Sequence, residues 1–378
     1  MAEKSKVYFS DFRALPGTNL QDKLRKLILK AGIGDIDFAD KFTAIKIHFG
    51  EPGNLAYLRP NWAKTVVDVI KEKGGKPFLT DCNTLYVGRR KNALEHLDAA
   101  YENGYNPFTT GCQIIIADGL KGTDETIVPI DGELVKEAKI GTAIMDADIF
   151  ISLSHFKGHE STGFGGALKN IGMGCGSRAG KMEQHSAGKP VVDQDICRGC
   201  RMCAKNCAHG AISFDENRKA SIDHSKCVGC GRCVGSCGFD AVQPGWDAAE
   251  KDLCKKIAEY AYAVCKDRPC FHICLVLDVS PYCDCHAEND APIIPDVGMF
   301  ASFDPVALDQ ACADACNAQT ANMNSFLSDA LEKHCACKTC SGHEDHFATI
   351  HPSTDWEYQL IQAEKLGMGT RDYELITV

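Results

Sequence analysis

The chain has 378 residues, of which 44% are hydrophobic and 22 are cysteine, and its formal net charge is −10 at pH 7. This length suits two or three domains, and an acidic surface excludes nonspecific nucleic-acid binding because phosphates repel it. No apolar stretch is long enough to span a membrane and no secretory signal is evident, so we expect a cytoplasmic protein.

The first half of the chain alternates short apolar runs with amphipathic segments. The pattern predicts strands at 6–9, 44–49, 77–80, 113–117 and 148–153, and helices at 20–31, 62–73, 91–103 and 133–145. Strands that alternate with helices predict an α/β fold, with a mostly parallel sheet and helices on both faces.

The pattern changes at about Lys189, where helical periodicity stops and closely spaced cysteines begin. The α/β pattern returns after about Pro244, with a helix at 253–265, a strand at 272–279, and helices at 305–316 and 356–366. We therefore predict that one α/β domain is interrupted by a small α+β insert. Its first half is 1–188, the insert is 189–245, and its second half is 246–378.

The insert contains an internal repeat in which C-x2-C-x2-C-x3-C occurs at 197–207 and again at 227–237. Three such cysteines can hold three corners of a [4Fe–4S] cube, and in two-cluster proteins the fourth cysteine ligates the other cluster. Zinc motifs usually pair two cysteines and leave a long gap, so the spacing favours iron–sulfur clusters. The crossing rule assigns Cys197, Cys200, Cys203 and Cys237 to cluster 1, and Cys227, Cys230, Cys233 and Cys207 to cluster 2.

This insert resembles the bacterial two-[4Fe–4S] ferredoxin module. The proline that usually follows the fourth cysteine is Ala208 in one copy and Gly238 in the other. That proline shapes a turn and is not a ligand, so the predicted ligand sets are unaffected. The resemblance implies electron transfer by an oxygen-sensitive protein in a reducing, anaerobic cytoplasm.

The flanking halves resemble the domain of unknown function 362 family, in the subgroup that carries a ferredoxin insert. The resemblance rests on KIHFGE (46–51), TDCNTLY (80–86), GFGGALKN (163–170), YCDCH (282–286) and SFDPVA (302–307). It implies the α/β fold, the two clusters and a redox role, but it implies no particular reaction.

A polar stretch at 155–185 follows the predicted strand 148–153, so it should lie at the carboxyl edge of the sheet, where open α/β folds bind ligands. Gly163–Gly166 could open a helix whose free N–H groups accept an anion. The alternatives are a polar surface loop and a structural contact with the insert. Candidate catalytic residues here are His155, Lys157, His159 and Lys169.

Two further groups of soft ligands lie outside the repeat. Cys283, Cys285 and His286 follow a predicted strand and could form a third metal or redox site if the chain turns there, and the two thiols are also catalytic candidates. The alternative is a structural role without a ligand. Cys335, Cys337, Cys340 and His343 could hold zinc, or they could form a reduced thiol loop.

Two hypotheses for function follow. The chain is an electron carrier that passes single electrons to a redox partner protein. Alternatively, it is an oxidoreductase whose α/β domain binds a small anionic ligand or a further metal ion, and whose clusters supply electrons. A weaker third hypothesis is a role in maturing the metal centre of another protein. No G-x-G-x-x-G follows the first strand, which disfavours a pyridine nucleotide.

Overall fold

The computed structural model describes residues 4–85, 88–185, 188–246, 248–334 and 345–378. Its strands, in chain order, are β1 (Ser5–Asp11), β2 (Phe42–Lys46), β3 (Lys76–Asp81), β4 (Gln113–Ile116), β5 (Glu125–Pro129), β6 (Glu137–Gly141), β7 (Ile149–His155), β8 (Lys157–His159), β9 (Gly163–Gly165), β10 (Pro190–Val192), β11 (Ile212–Phe214), β12 (Ala220–Ile222), β13 (Val242–Pro244), β14 (Cys270–Val276), β15 (Gly298–Ser302) and β16 (Tyr373–Thr377).

The helices are α1 (Leu20–Lys30), α2 (Pro60–Glu72), α3 (Ala93–Glu102), α4 (Pro107–Thr110), α5 (Thr142–Met145), α6 (Ala167–Cys175), α7 (Arg178–His185), α8 (Met202–Lys205), α9 (Arg232–Gly235), α10 (Glu250–Cys265), α11 (Pro305–Asn317), α12 (Phe326–His334), α13 (His346–Ile350) and α14 (Glu357–Lys365). None of these helices combines the length and the apolar character that a membrane span requires.

Eight strands form the central sheet in the order β16-β1-β15-β14-β7-β2-β3-β4. Neighbouring strands from β14 to β4 are parallel, as are β1 and β16, while β15 is antiparallel to both β1 and β14. Seven strands therefore share one direction. The prediction of an α/β fold with a mostly parallel sheet is confirmed, and the reversed strand β15 is a feature that the sequence pattern did not predict.

Helices cover both faces of this sheet because successive strand residues point to opposite sides. Ile45 and Ile151 pack in one apolar cluster with residues of α1 and α2. Their neighbours Ala44 and Phe150 pack in the other cluster with residues of α6, α10, α11 and α14. The strands are apolar on both faces, as expected for a parallel sheet buried between two helical layers.

The helix predicted at 133–145 is wrong. Residues 137–141 form strand β6, which pairs with β5, and only Thr142–Met145 is helical. The carboxylate of Glu259, on α10, accepts the backbone N–H groups of Glu133, Leu134 and Val135, which fixes the chain before β6. Because Glu259 lies more than a hundred residues after this segment in the chain, local periodicity could not indicate the contact.

The cysteine segment, residues 189–245, forms a small α+β unit between α7 and α10. Strands β10 and β13 make one antiparallel pair, and β11 and β12 make another. Helix α8 connects β10 to β11, and helix α9 connects β12 to β13. Its apolar cluster includes Cys203, Cys233 and Val234, together with Leu85 and Met182 from the surrounding α/β fold. These two residues attach the cysteine segment to the loop after β3 and to α7.

Candidate functional site

A cleft opens where β2, β3, β7 and β14 end. Open α/β sheets bind ligands at this carboxyl edge, because loops from several strands converge there. The cleft is lined by five cationic side chains, Lys46, Arg90, Lys157, Lys169 and Lys181, and by the further polar or thiol residues His48, Asp81, Asn170, Cys283 and Cys285.

Lys46 ends β2 and is 1% exposed. Its Nζ lies 3.1 Å from Oδ1 of Asp81, at the end of β3, and 2.8 Å from Oδ1 of Asn170 on α6. Burial raises the pKa of Asp81, but the Lys46 ammonium and the other positive charges around the carboxylate together outweigh burial, so the pKa lies below its ordinary value. This buried ion pair ties two strand ends to the helix that carries Lys169.

Arg90 brings a second buried cation to the cleft. Its Nε donates to Oε2 of Glu51 at 2.7 Å, and its Nη1 lies 2.9 Å from Nε2 of His48. Burial and the neighbouring Arg90 charge hold the pKa of His48 well below its usual range. His48 therefore lines the cleft as a neutral ring at pH 7.

His155 lies behind the cleft wall. Its Nδ1 is 2.9 Å from Oδ2 of Asp284, and its Nε2 is 2.7 Å from the carbonyl oxygen of Leu277. Both ring nitrogens are therefore engaged by acceptors. Lys157 Nζ lies 3.3 Å from the same Asp284 oxygen and does line the cleft. His155 is thus placed to position Asp284 and Lys157, not to meet a ligand.

Two thiols and an ammonium group meet at one wall of the cleft. Lys169 Nζ lies 3.2 Å from Sγ of Cys283. The pKa of the Cys283 thiol lies well below its ordinary value because the Cys285 thiol donates a hydrogen bond to it and the Lys169 charge is adjacent. The same hydrogen bond, with burial, raises the pKa of Cys285 well above its ordinary value. Cys283 is thus the more reactive of the two thiols.

The cleft carries more positive than negative charge. Three of its cations have carboxylate partners, in the pairs Lys46–Asp81, Arg90–Glu51 and Lys157–Asp284. Lys169 instead donates to the Cys283 thiol, and Lys181 donates to the carbonyl oxygens of Gly174 and Gly176. Within the described ranges, neither ammonium forms an ion pair with a carboxylate. The cleft is therefore electrostatically suited to an anion.

The stretch 155–185 is not a surface loop, since it forms β8, β9, α6 and α7 and is largely buried. Gly163–Gly166 does precede a helix, α6, as predicted. The first N–H groups of α6 do not face an external anion, because a side chain of the protein accepts them. Oδ1 of Asp309 accepts from Ala167 at 2.6 Å, and Oδ2 accepts from Leu168 at 2.9 Å. Burial raises the pKa of Asp309 to about 7.

A mixed group of donor atoms lies beside the thiols. Atoms of Glu160, Cys285 and His286 lie within 4.8 Å of one another. His286 Nε2 is 2.9 Å from Oε1 of Glu160, whereas Oε2 of Glu160 is buried with no hydrogen-bond partner among the described residues. His159 Nδ1 accepts from the N–H of Ser161, and its Nε2 lies 4.0 Å from Oε1 of Glu160.

The cysteine repeat forms a second cavity, here called the cysteine cavity. Four cysteines line it: Cys207 from the first copy, and Cys227, Cys230 and Cys233 from the second. In the other half of the repeat, burial and the neighbouring Cys237, Cys200 and Cys197 raise the pKa of Cys203. Cys207 of the first copy therefore lies with three cysteines of the second copy.

The backbone of the repeat faces its sulfur atoms. The N–H groups of Ala211, Gly229 and Ala220 donate to Sγ of Cys207, Cys227 and Cys197 respectively, each at 3.4 Å. Both copies also place two residues between the first and third cysteines in the left-handed region, with positive φ at Gly199 and Arg201 and at Gly229 and Gly231. Such loops turn tightly around a common centre.

The predicted ligands Cys335, Cys337, Cys340 and His343 lie outside the described residues. Of the candidates near the cleft, Lys157, Lys169, Cys283 and Cys285 line it, while His155 and His159 do not. Sequence reasoning did not identify Lys46, His48, Asp81 and Arg90 as site residues. Lys46 and His48 lie within the second predicted strand, Asp81 directly follows the third, and Arg90 directly precedes the helix predicted at 91–103.

Three comparisons place this chain among known proteins. It is 28% identical, over 124 residues, to the thylakoid-associated protein sll1697 of Synechocystis, and the match covers 33% of this chain and 35% of that relative. A Thermotoga maritima crystal structure aligns with a TM-score of 0.41 and 12% identity, covering 79% of this chain and 57% of the other. The lactate racemase apoprotein of Thermoanaerobacterium thermosaccharolyticum aligns with a TM-score of 0.40 and 9% identity, covering 99% and 83%.

The family model described as "Domain of unknown function (DUF362)" matches residues 43–314. The matched range begins at the second residue of β2 and ends within α11. It includes the lining of the cleft and the whole cysteine segment. The chain belongs to the DUF362 family.

Proposed function

We propose that the protein transfers single electrons through two [4Fe–4S] clusters and belongs to the DUF362 subgroup with a ferredoxin-like insert at 189–245. The observation that carries the proposal is the cysteine cavity, where Cys207 joins three cysteines that follow it in the chain. If each motif held its own cluster, Cys207 would lie with the cysteines of its own copy. In two-cluster ferredoxins the fourth cysteine of each motif instead ligates the other cluster.

The residues present fit the clusters. Cys207, Cys227, Cys230 and Cys233 would hold one, and Cys197, Cys200, Cys203 and Cys237 the other. When bound, the clusters supply one-electron redox chemistry, with potentials that depend on hydrogen bonds to sulfur and on solvent exposure. The chain already directs backbone N–H groups at Cys197, Cys207 and Cys227, which stabilises thiolates.

The surface of the cysteine segment suits exchange with a redox partner protein. Cys200 is exposed, and so are the apolar side chains of Met202 and Val228, next to ligands of each predicted cluster. An electron can therefore leave at this surface without crossing the α/β fold. We therefore expect the protein to act in a reducing, oxygen-poor cytoplasm, because oxygen would oxidise thiolate ligands and exposed clusters.

Anaerobic iron and sulfide analysis, with electron paramagnetic resonance of the reduced protein, tests this function. We expect about eight irons per chain and interacting signals from two reduced clusters. The protein should also pass electrons from a chemical reductant to an added one-electron acceptor. An anaerobic preparation that held four irons or fewer, or that held zinc in the cysteine segment, would contradict the proposal.

The cleft supports a second candidate, an oxidoreductase that binds a small anionic substrate. Lys169 and Lys181 are buried cations without carboxylate partners in the described ranges, and Cys283 adds a thiol of lowered pKa. Thr84 and Lys181 line the cleft, and their chain neighbours Leu85 and Met182 belong to the apolar cluster of the cysteine segment. Electrons could thus reach the cleft over a short path.

Replacing Lys169 or Lys181 with methionine should weaken the binding of inorganic phosphate at least about tenfold, since a hydrogen bond to a charged group contributes roughly 1.5–3 kcal/mol. Isothermal titration calorimetry under nitrogen measures this affinity. Iron content should not change. The matched control is Lys136→Met, because Lys136 is 69% exposed and does not line the cleft. If both cleft variants bound phosphate like the control, the anion site would be disproved.

A further inference from the structure

We infer that Glu160, Cys285 and His286 bind a divalent transition-metal ion, and that this ion is zinc. The three residues come from two segments that only the fold brings together. Glu160 lies in the turn between β8 and β9, whereas Cys285 and His286 follow β14. This site is separate from the proposed clusters, so its failure and theirs can be distinguished.

The geometry allows all three side chains to reach one ion. Their donor atoms, a carboxylate oxygen, a thiol sulfur and an imidazole nitrogen, lie within 4.8 Å of one another. Zinc binds these atoms at about 2.0–2.3 Å. His286 Nε2 and Oε1 of Glu160 lie 2.9 Å apart, and zinc would displace both the proton between them and the thiol proton of Cys285.

One buried atom is not explained by a purely structural role. Oε2 of Glu160 has no hydrogen-bond partner among the described residues. Leaving a buried carboxylate oxygen without a partner is costly, and such atoms in native structures call for an explanation such as a bound ion. A His–Glu hydrogen bond alone accounts for Oε1 but not for Oε2. A metal ion would satisfy the second oxygen.

The donor set identifies the metal class. One thiolate, one imidazole and one carboxylate form a mixed soft and hard set, which magnesium and calcium avoid and zinc accepts. Three protein ligands leave a fourth zinc position open, as in catalytic zinc sites. Because Cys285 also lines the cleft, that position would be accessible from the side where Lys157 and Lys169 lie. The ion would thus add a further positive charge for an anionic ligand.

Zinc and iron analysis of anaerobically prepared protein, after incubation with Zn²⁺ and removal of free metal, tests the inference. We expect one zinc per chain beyond the iron of the clusters. X-ray absorption at the zinc edge should show one sulfur at about 2.3 Å together with lighter ligands at about 2.0–2.2 Å. This spectrum reports on zinc alone, so the iron clusters do not obscure it.

Variants assign the zinc to these residues. Cys285→Ser and Glu160→Gln should each lower zinc affinity at least tenfold and leave the iron content unchanged. The control Cys112→Ser removes another buried thiol, at the amino end of β4, and should bind zinc like the wild type. If Cys285→Ser fails to fold, Glu160→Gln decides, because it preserves the shape of the side chain.

Two results would overturn the inference. The first is a wild-type protein that binds no zinc, or binds it only at the expense of iron. The second is a zinc ion that persists in both Glu160→Gln and Cys285→Ser. A zinc ion lost in Cys337→Ser but retained in Cys285→Ser would belong to the cysteines at 335–340 and would also refute the site. Unchanged iron in every case would leave the cluster proposal standing.

Discussion

The double variant Cys207→Ser/Cys230→Ser should retain about four irons per chain, whereas Cys207→Ser/Cys200→Ser should retain almost none. In the crossed arrangement Cys207 and Cys230 line one cavity and serve one cluster, so losing both removes that cluster alone. Cys200 belongs to the other set, so the second pair of substitutions damages both clusters. Anaerobic iron and sulfide analysis measures the difference directly.

The two double variants carry the same number of substitutions of the same kind, so each controls for the other. Cys254→Ser, at a position 1% exposed in α10, provides a further control and should retain about eight irons. The opposite pattern, with four irons in Cys207→Ser/Cys200→Ser and almost none in Cys207→Ser/Cys230→Ser, would mean that each motif holds its own cluster. The crossed assignment would then be rejected.

Replacing Lys46 with methionine should lower the free energy of unfolding by about 3–5 kcal/mol, because it leaves the carboxylate of Asp81 buried without its partner. Asp81 is 3% exposed and cannot turn to solvent. Anaerobic urea denaturation, followed by tryptophan fluorescence, measures the loss. The double variant Lys46→Met/Asp81→Asn should recover much of the stability, since the second change removes the unpaired charge.

This loss should depend on pH. In the wild type the pKa of Asp81 is depressed, so its ion pair stabilises the fold above the unfolded value of 3.8 and is lost only as the pH falls through the lower folded pKa. In Lys46→Met the lowering effect of the Lys46 charge on the pKa of Asp81 is gone while burial still raises it, so protonation relieves the penalty at a higher pH than in the wild type. The gap between the two proteins should therefore narrow on acidification.

A matched control separates the buried pair from surface charge. Lys64 and Asp68 form an ion pair on α2, and each side chain is 43% exposed. Lys64→Met should leave the urea midpoint unchanged within error at every pH, because solvent screens such pairs. If Lys46→Met lost no more stability than this control, the Lys46–Asp81 pair would not contribute as described.

Sequence patterns predicted the elements whose apolar residues are locally periodic. The strands around Ile45 and Ile151 and the helices α1, α2, α10 and α11 were identified because each buries one or both faces of its own segment. The helix predicted at 133–145 failed because Glu259, a distant residue, holds the chain before β6. Strand β15 was missed because its antiparallel pairing is set by its neighbours and not by its composition.

The candidate site also contains residues that a local sequence pattern indicates and residues that only the fold brings together. The cysteine repeat could be recognised because all its spacing is local in the chain. Lys169 and Cys283 were candidates because they are polar residues in conspicuous stretches, but their contact crosses 114 residues. Glu160 was missed for the same reason, since it meets His286 across 126 residues. No local pattern distinguishes a glutamate at a turn from one that faces a histidine.

The attachment of the cysteine segment through Leu85 and Met182 has a thermodynamic consequence. Each of these residues is bonded to one that lines the cleft, Thr84 or Lys181, so the cleft and the cysteine segment share part of their supporting structure. By thermodynamic linkage, the free energy by which a ligand in the cleft stabilises this shared structure equals the free energy by which the ordered cysteine segment strengthens ligand binding. Ligand affinity in the cleft and the stability of the cysteine segment are therefore expected to change together.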